Sequence, residues 1–335
     1  MIWLFLVTAP LWRAASGSNA KNESEHPLCI ASHEQHKSAG LTLYRCLEEG
    51  LAARTGWKTG QFKKRSTTEG ADGAVAQRIH CDESLMDFDT KRCRVSVDVR
   101  TKERGGTLWL AGMYSLSMAS IPAARSCFWI TSFREPVSRL MSAKFYCATR
   151  AKDPLCGNHR EAWFERASAS EMARYWGNYG FNNLLLADAF RGKVARGTRP
   201  GPDRPPPEEK VWQRYRRELQ GGDDPRTTAG AANLEMVLAG FDALFDAVVV
   251  LERFSESLAL LERKVPLPGR WTWQQLAARH HETHASEGHK AAEDAALAAA
   301  RGDAAILAEV AGDARLYDAA VALFDRQIAD AQIVI

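Results

Sequence analysis

Two short segments carry side chains suited to holding a phosphate-bearing ligand. The first, His36-Lys37-Ser38-Ala39-Gly40-Leu41-Thr42, lies between an apolar run and a helical pattern. Small residues in such a connection let backbone N–H groups converge on an anion, and the positive end of the following helix adds to the attraction. Lys37 offers a mobile charge, and Ser38 and Thr42 offer hydroxyl donors. The Gly-x4-Gly-Lys-Ser/Thr signature is absent and the lysine precedes the glycine, so this is not a Walker A loop. An ordinary strand-to-helix connection uses the same residue types.

The second segment runs from Thr131 through Phe133-Arg134-Glu135-Pro136 to Ser142. Arg134 falls at the carboxyl end of the aromatic and β-branched run 127–133, where ligands gather in open α/β sheets. Pro136 suits a first helical turn. On that helix Ser138 and Ser142, four apart, share a face, with Arg139 one position round. The rise from Pro136 to Ser142 is ~9 Å. Arg134 and Ser142 can therefore grip one phosphate from the strand end and the helix side. The plainer use of these residues is an ion pair between Glu135 and Arg139 at i,i+4.

The elements that must position these segments follow from periodicity. Residues 28–32 read as a short buried strand and 41–53 as a helix, with Leu43, Leu47 and Leu51 at helical spacing. Strands are expected at 95–99, 107–110, 127–133 and 244–251, and helices at 161–166, 182–191, 208–219 and 252–264. An alanine-rich helical tail starts at Gln274 and ends with 316–328. Residues 192–207 hold five prolines and read as an exposed loop, in which Arg196, Arg199 and Arg204 are solvated or meet an anionic glycan. Strands leading into helices argue for an α/β fold with a mostly parallel sheet flanked by helices and a helical C-terminal part. No linker divides the chain, which gives one domain over 27–330.

The chain has 335 residues, of which 45% are hydrophobic and 25% charged, an ordinary globular composition. Its 44 Lys+Arg and 41 Asp+Glu leave a net charge of +3, too balanced to argue for nucleic acid. Residues 1–26 read as a signal peptide, or a truncated signal anchor and stem: an apolar run from Ile2 to Trp12 is followed by Ala14, Ala15, Ser16 and Gly17. The run is shorter than the ~20 residues that span a bilayer, so attachment to a membrane would be through this end alone. Asn22-Glu23-Ser24 is a glycosylation sequon. Of seven cysteines, Cys147 with Cys156 and Cys81 with Cys93 are spaced to close small loops in an oxidising lumen, and neither pair has zinc-ligand spacing. Cys29, Cys46 and Cys127 lie in apolar stretches and read as buried thiols.

Together the two anion-gripping segments resemble the Golgi carbohydrate sulfotransferases, the family of the galactose 3-O- and uronyl 2-O-sulfotransferases. His36-Lys37-Ser38-Ala39-Gly40-Leu41-Thr42 is similar to that family's 5′-phosphosulfate loop. Arg134-Glu135-Pro136 with Ser142 is similar to its Arg-Asp-Pro turn with a serine eight residues after the arginine. Val249 to Leu258, Asn178 to Gly192 and Arg315-Leu316-Tyr317-Asp318 are similar to its late strand-to-helix stretch, its asparagine-rich helix and its closing helix. The resemblance implies a P-loop-like three-layer fold and a Golgi setting. It also implies sulfuryl transfer from 3′-phosphoadenosine 5′-phosphosulfate to a glycan or glycolipid hydroxyl, without a metal. On that basis Lys37 attends the bridge and 5′-phosphate oxygens, and Ser38, Ala39, Gly40, Leu41 and Thr42 line the loop. Arg134 and Ser142 hold the 3′-phosphate, with Arg139 as a helper.

Relatives place a histidine general base on the strand before the arginine strand, where this chain has Met113. His36, beside Lys37, is the first substitute, followed by His33, Glu34 and His80. A donor- or glycan-binding protein without turnover, and a P-loop-like nucleotide kinase, are the competing readings. His280-His281-Glu282-Thr283-His284, with His289 beyond, resembles a metal helix, but HExxH would need histidine at position 285, which is Ala285. It reads as a solvated helix end.

Overall fold

The computed structural model describes residues 29–33, 35, 38–55, 65–69, 75–80, 107–111, 127–149, 161–185, 224–265, 267, 271–280 and 287–333. Six strands form one sheet: β1 (Cys29–His33), β2 (Arg65–Glu69), β3 (Val75–His80), β4 (Thr107–Ala111), β5 (Phe128–Phe133) and β6 (Ala247–Val250). Their order is β2-β3-β4-β1-β5-β6. Only the β2–β3 pair is antiparallel; β3–β4, β4–β1, β1–β5 and β5–β6 are parallel. In register, Ala31 pairs with Leu110 on one side and Trp129 on the other.

Every residue of β6 is buried, and so are all of β5 beyond Phe128. A strand buried on both faces needs cover on both, which explains unbroken runs such as Ala247-Val248-Val249-Val250 in place of alternation. Helices provide that cover: α1 (Gly40–Thr55), α2 (Pro136–Thr149), α3 (Glu161–Arg166), α4 (Ala169–Trp176), helical residues 179–185, α5 (Thr228–Gly240), α6 (Phe254–Lys264), α7 (Trp273–His280), α8 (Glu287–Arg301), α9 (Ala304–Glu309) and α10 (Ala311–Asp330). The main core joins Ile30, Leu43, Leu47, Trp129, Phe181, Leu184, Val248, Leu261, Trp273 and Phe324 from five of these helical elements and the sheet. A second core, under α2, gathers Leu140, Met141, Phe164, Met172, Trp176 and Ile306.

Several expected elements differ in extent. The strand expected over 244–251 is shortened to Ala247–Val250, because 3₁₀ turns at Phe241–Ala243 and Leu251–Arg253 bracket it. The β2–β3 hairpin at the sheet edge was not expected: Arg65-Ser66-Thr67-Thr68-Glu69 has no apolar residue to show a pattern, and its pairing alone makes it a strand. Cys46 is a buried thiol as expected, pushed up to about 12 by burial and by Glu49. Cys127, also expected as a thiol, is instead disulfide-bonded, and so is Cys147. Cys81, Cys93 and Cys156 lie outside the described residues, as do residues 1–28, the expected strand at 95–99, the expected helix at 208–219 and the loop 192–207. Among the described residues, no helix is long and apolar enough to cross a membrane.

Candidate functional site

The two segments singled out by their chemistry leave the carboxyl ends of β1 and β5, which are hydrogen-bonded neighbours. The strand order runs outward from β1 in both directions, towards β4 and towards β5. Such a reversal is where open parallel sheets place ligands.

At the β5 end, the carboxylate of Glu135 folds over the start of α2. It accepts from Val137 N (2.9 Å), Ser138 N (2.9 Å) and Ser138 Oγ (2.7 Å), so it acts as a cap for donors that have no partner within the helix. Burial works against its charge, but the serine and backbone bonds outweigh it and hold the carboxyl below its ordinary value. Arg301 of α8 donates to the same carboxylate (3.0 Å) and to Ser138 Oγ (3.1 Å). The Glu135 N–H donates to Glu252 Oε1 (2.9 Å), and the Tyr317 hydroxyl donates to Glu252 Oε2 (3.0 Å). Arg134 pairs with Glu293 of α8 at 3.9 Å from Nη2, too long for a hydrogen bond. Burial disfavours its charge, and Glu293, Glu252 and Glu135 favour it. Ser142 is half-buried one turn beyond Ser138, with no partner for its hydroxyl among the described residues.

The expected ion pair between Glu135 and Arg139 is not formed. Arg139 points inward instead and is 2% exposed. Its Nη2 donates to Trp176 O (2.9 Å) and faces Asp313 Oδ2 at 3.5 Å, and its guanidinium lies 4.9 Å from the Tyr179 ring centre. Nε and Nη1 have no protein partner. Asp313, near the start of α10, accepts from Gly180 N (3.0 Å) and Phe181 N (2.8 Å) and so caps helical residues 179–185 from another helix. Asn178, in a left-handed conformation at φ 56°, returns the favour: its Oδ1 accepts from Asp313 N (3.0 Å) and its Nδ2 donates to Glu309 O (2.7 Å). Burial pushes the Asp313 carboxyl up and the Arg139 guanidinium down, and each charge opposes the shift in the other.

At the β1 end, Ser38 N donates to Gln35 O (3.3 Å), and Ala39 takes φ 65° immediately before α1 begins at Gly40. Left-handed backbone in a residue with a Cβ costs ~1–2 kcal/mol and is retained where the surroundings over-determine it. Ser38 is fully buried and its hydroxyl has no partner. Thr42 sits half-buried in the first turn of α1, and Leu41 lies in that turn. Lys37, His36, Glu34 and Met113 lie outside the described residues. His80 ends β3, two strands away from β1. His33 is fully buried against Phe245 (ring centres 6.0 Å) and burial lowers it to about 3, so it is neutral at physiological pH.

The histidine-rich stretch is not merely a solvated end. His280 closes α7 and bonds Glu49 of α1 (2.7 Å), which Arg279 also pairs with. Among the described residues, no group of His, Cys, Asp and Glu is arranged to hold a metal ion.

Gln35, Asp313, Glu293 and Arg301 were missed in the sequence, and Asn178 entered it only as the start of the asparagine-rich stretch. Asn178-Tyr179-Gly180 carried a usable turn signal. Asp313, Glu293 and Arg301 are scattered charges in an alanine-rich tail, with no local pattern to mark them. Taken together, fold and site define an α/β protein with a largely parallel sheet and a polar, arginine-bearing carboxyl edge. Comparison with family models, curated proteins and solved structures found no match to this chain.

Proposed function

We propose that this protein has a P-loop-like fold and transfers the sulfuryl group of 3′-phosphoadenosine 5′-phosphosulfate to a carbohydrate hydroxyl. The observation that carries the reading is the parallel adjacency of β1 and β5, from whose carboxyl ends the two anion-gripping segments leave side by side. Neighbouring strands lie ~4.8 Å apart, so segments leaving them are within reach of the two ends of one nucleotide.

The side chains fit a doubly phosphorylated ligand. Among the described residues, Arg134 meets Glu293 only at 3.9 Å, and the hydroxyls of Ser142 and Ser38 have no partner. Arg134 and Ser142 would take the 3′-phosphate, with Arg139 contributing positive potential from behind. Lys37, the Ser38 hydroxyl and the N–H groups of Ala39, Gly40, Leu41 and Thr42 would take the 5′ end. In the reaction the acceptor oxygen forms a bond to sulfur as the sulfur–oxygen bridge bond breaks. The electron pair leaves with the phosphate, and the hydroxyl proton passes to a base. The chain's part is to hold the reactants in line and offset charge on the departing oxygen, which is the work assigned to Lys37. His36 remains the proposed base. His33 does not suit that role, because a group held near 3 is a weak proton acceptor.

Disulfide bonding at Cys127 and Cys147 supports a secretory-pathway setting such as the Golgi lumen. Calorimetry with 3′-phosphoadenosine 5′-phosphate tests the proposal. The wild type should bind, and Arg134→Ala should weaken binding about a hundredfold, as expected for leaving a phosphate without its charged partner. Absence of binding by the wild type would remove the reading.

A further inference from the structure

Two stretches set apart in the sequence, Val249 to Leu258 and Arg315 to Asp318, meet at Glu252 and Tyr317, beside Arg134. Phe133 pairs with Val250 in the parallel β5–β6 ladder, so Arg134 leaves one strand as Glu252 leaves the other. Glu252 stands on the 3₁₀ turn Leu251–Arg253, and that turn is braced from two directions. The buried Ser257 hydroxyl accepts from Val250 N (3.0 Å) and donates to Arg253 O (2.9 Å). Arg253 pairs with Glu256 and with Asp325 of α10, and its guanidinium lies 4.7 Å from the Phe324 ring centre.

Glu135 is the N-cap of α2, since its carbonyl accepts from Arg139 N (2.8 Å). The N–H of an N-cap has no partner inside the helix, and in a capping box a Glu or Gln at the third helical position supplies one. Here that position is Ser138, whose hydroxyl is spent on the Glu135 carboxylate (2.7 Å). The N–H goes instead to Glu252 Oε1 (2.9 Å), 117 residues along the chain. It shares one peptide plane with the Arg134 carbonyl, so this bond sets the backbone torsion that aims Arg134. Glu252 is exposed, and a free surface glutamate would exchange among water partners. It is held because its Oε2 accepts from the Tyr317 hydroxyl of α10 (3.0 Å). Burial and the Glu252 charge raise the Tyr317 phenol above its ordinary value, so it stays a donor across the physiological range.

We propose that Glu252 and Tyr317 are positioning residues for the anion-binding arginine: Tyr317 holds Glu252, and Glu252 holds the Arg134–Glu135 peptide so that the guanidinium stands where a phosphate arrives. The role in nucleotide binding rests on the sulfotransferase reading; the relay from α10 to Arg134 rests on the hydrogen bonds alone. A carboxylate beside an anion site weakens binding through its charge and strengthens it through this bond. The second effect is the larger.

The test joins calorimetry with 3′-phosphoadenosine 5′-phosphate to NMR of the full chain, read at the Glu135 amide and the Arg134 Nε–H. Glu252→Ala should speed exchange of the Glu135 amide about tenfold, shift the Arg134 Nε–H resonance and weaken the nucleotide about tenfold, as for a lost charge-assisted hydrogen bond. Glu252→Gln keeps an oxygen for the amide and an NH₂ for the phenol. It should restore the resonance and bring exchange and affinity within about threefold of wild type. Tyr317→Phe should move exchange and affinity about threefold in the wild-type background and not at all in Glu252→Ala, because it acts through Glu252. Thermal melting checks folding, and Tyr317→Phe carries the same readouts where Glu252→Ala unfolds. Wild-type behaviour of folded Glu252→Ala, no rescue by Glu252→Gln, tighter binding in both Glu252 variants or an additive loss with Tyr317→Phe would each overturn the proposal. Failure of the wild type to bind nucleotide, with the amide and Nε–H pattern intact, would remove sulfuryl transfer and leave the positioning relay standing.

Discussion

The carboxyl ends of β5 and β1 differ in how their polar groups are satisfied. At β5, Glu135 serves four donors, from Val137, Ser138 and Arg301, while Glu252 takes the Glu135 N–H and the Tyr317 hydroxyl. At β1, His33, Gln35 and Ser38 are buried with polar atoms unserved. One end is a charged scaffold wired to itself, and the other carries buried, uncharged polar groups. The difference teaches that two neighbouring strand ends can solve burial in opposite ways: a capped helix start fixes where Arg134 stands, while the β1 end keeps polar groups without protein partners.

Asp313 links the two, through Arg139 on α2 and the N–H groups ahead of Asn183. Asp313→Ala should have the largest effect, a loss of about 3–5 kcal/mol by denaturant unfolding, because Arg139 is left as an uncompensated buried charge. A loss under about 1 kcal/mol would show that the two ends are mechanically independent.

His33 should make the β1 end sensitive to acid. Its folded value of about 3 lies below the ordinary 6.5. Between those values the unfolded chain binds the proton and the folded chain does not, so stability falls as pH drops from about 6.5 towards 3. His33→Phe retains the stacking on Phe245 and removes the proton site. Its stability relative to wild type should rise by about 1.4 kcal/mol per pH unit through that window, reaching about 3 kcal/mol near pH 4.5. Parallel unfolding curves for both proteins from pH 7 to 4 would contradict the burial of a neutral His33.

A smaller effect is expected at the charged end. Glu293 faces Arg134 and competes with an incoming anion, and both are partly exposed. Glu293→Gln should tighten 3′-phosphoadenosine 5′-phosphate by about threefold to tenfold in low salt, in keeping with about 1 kcal/mol for such a pair, and the gain should shrink as salt is raised. The smallest effect belongs to Ala39. Ala39→Gly relieves its left-handed backbone and should raise thermal stability by about 1 kcal/mol. No gain would mean that the surrounding loop absorbs the strain.

Much of the scaffold was legible before the fold was seen. Residues 127–133 announce a strand by their aromatic and β-branched composition, and 41–53 announce a helix because Leu43, Leu47 and Leu51 recur at helical spacing. Arg134 and Pro136 likewise declare a strand end followed by a helix start, and both stand there. The β2 strand was not legible, since a polar edge strand owes its conformation to its partner β3. Nor was Arg139: helical spacing offered Glu135 as partner, yet burial of that face of α2 brought Asp313, far along the chain, within 3.5 Å.

By itself, then, the sequence determined which residue types stand at the carboxyl ends of β1 and β5, because local periodicity and turn chemistry act over a few residues. Only the tertiary structure decided that those ends are neighbours, that Glu135 caps rather than pairs with Arg139, and that Gln35 lies against Gly180. Long-range packing chooses such partners by shape and by the cost of unmet hydrogen bonds, and neither leaves a periodic trace in the chain.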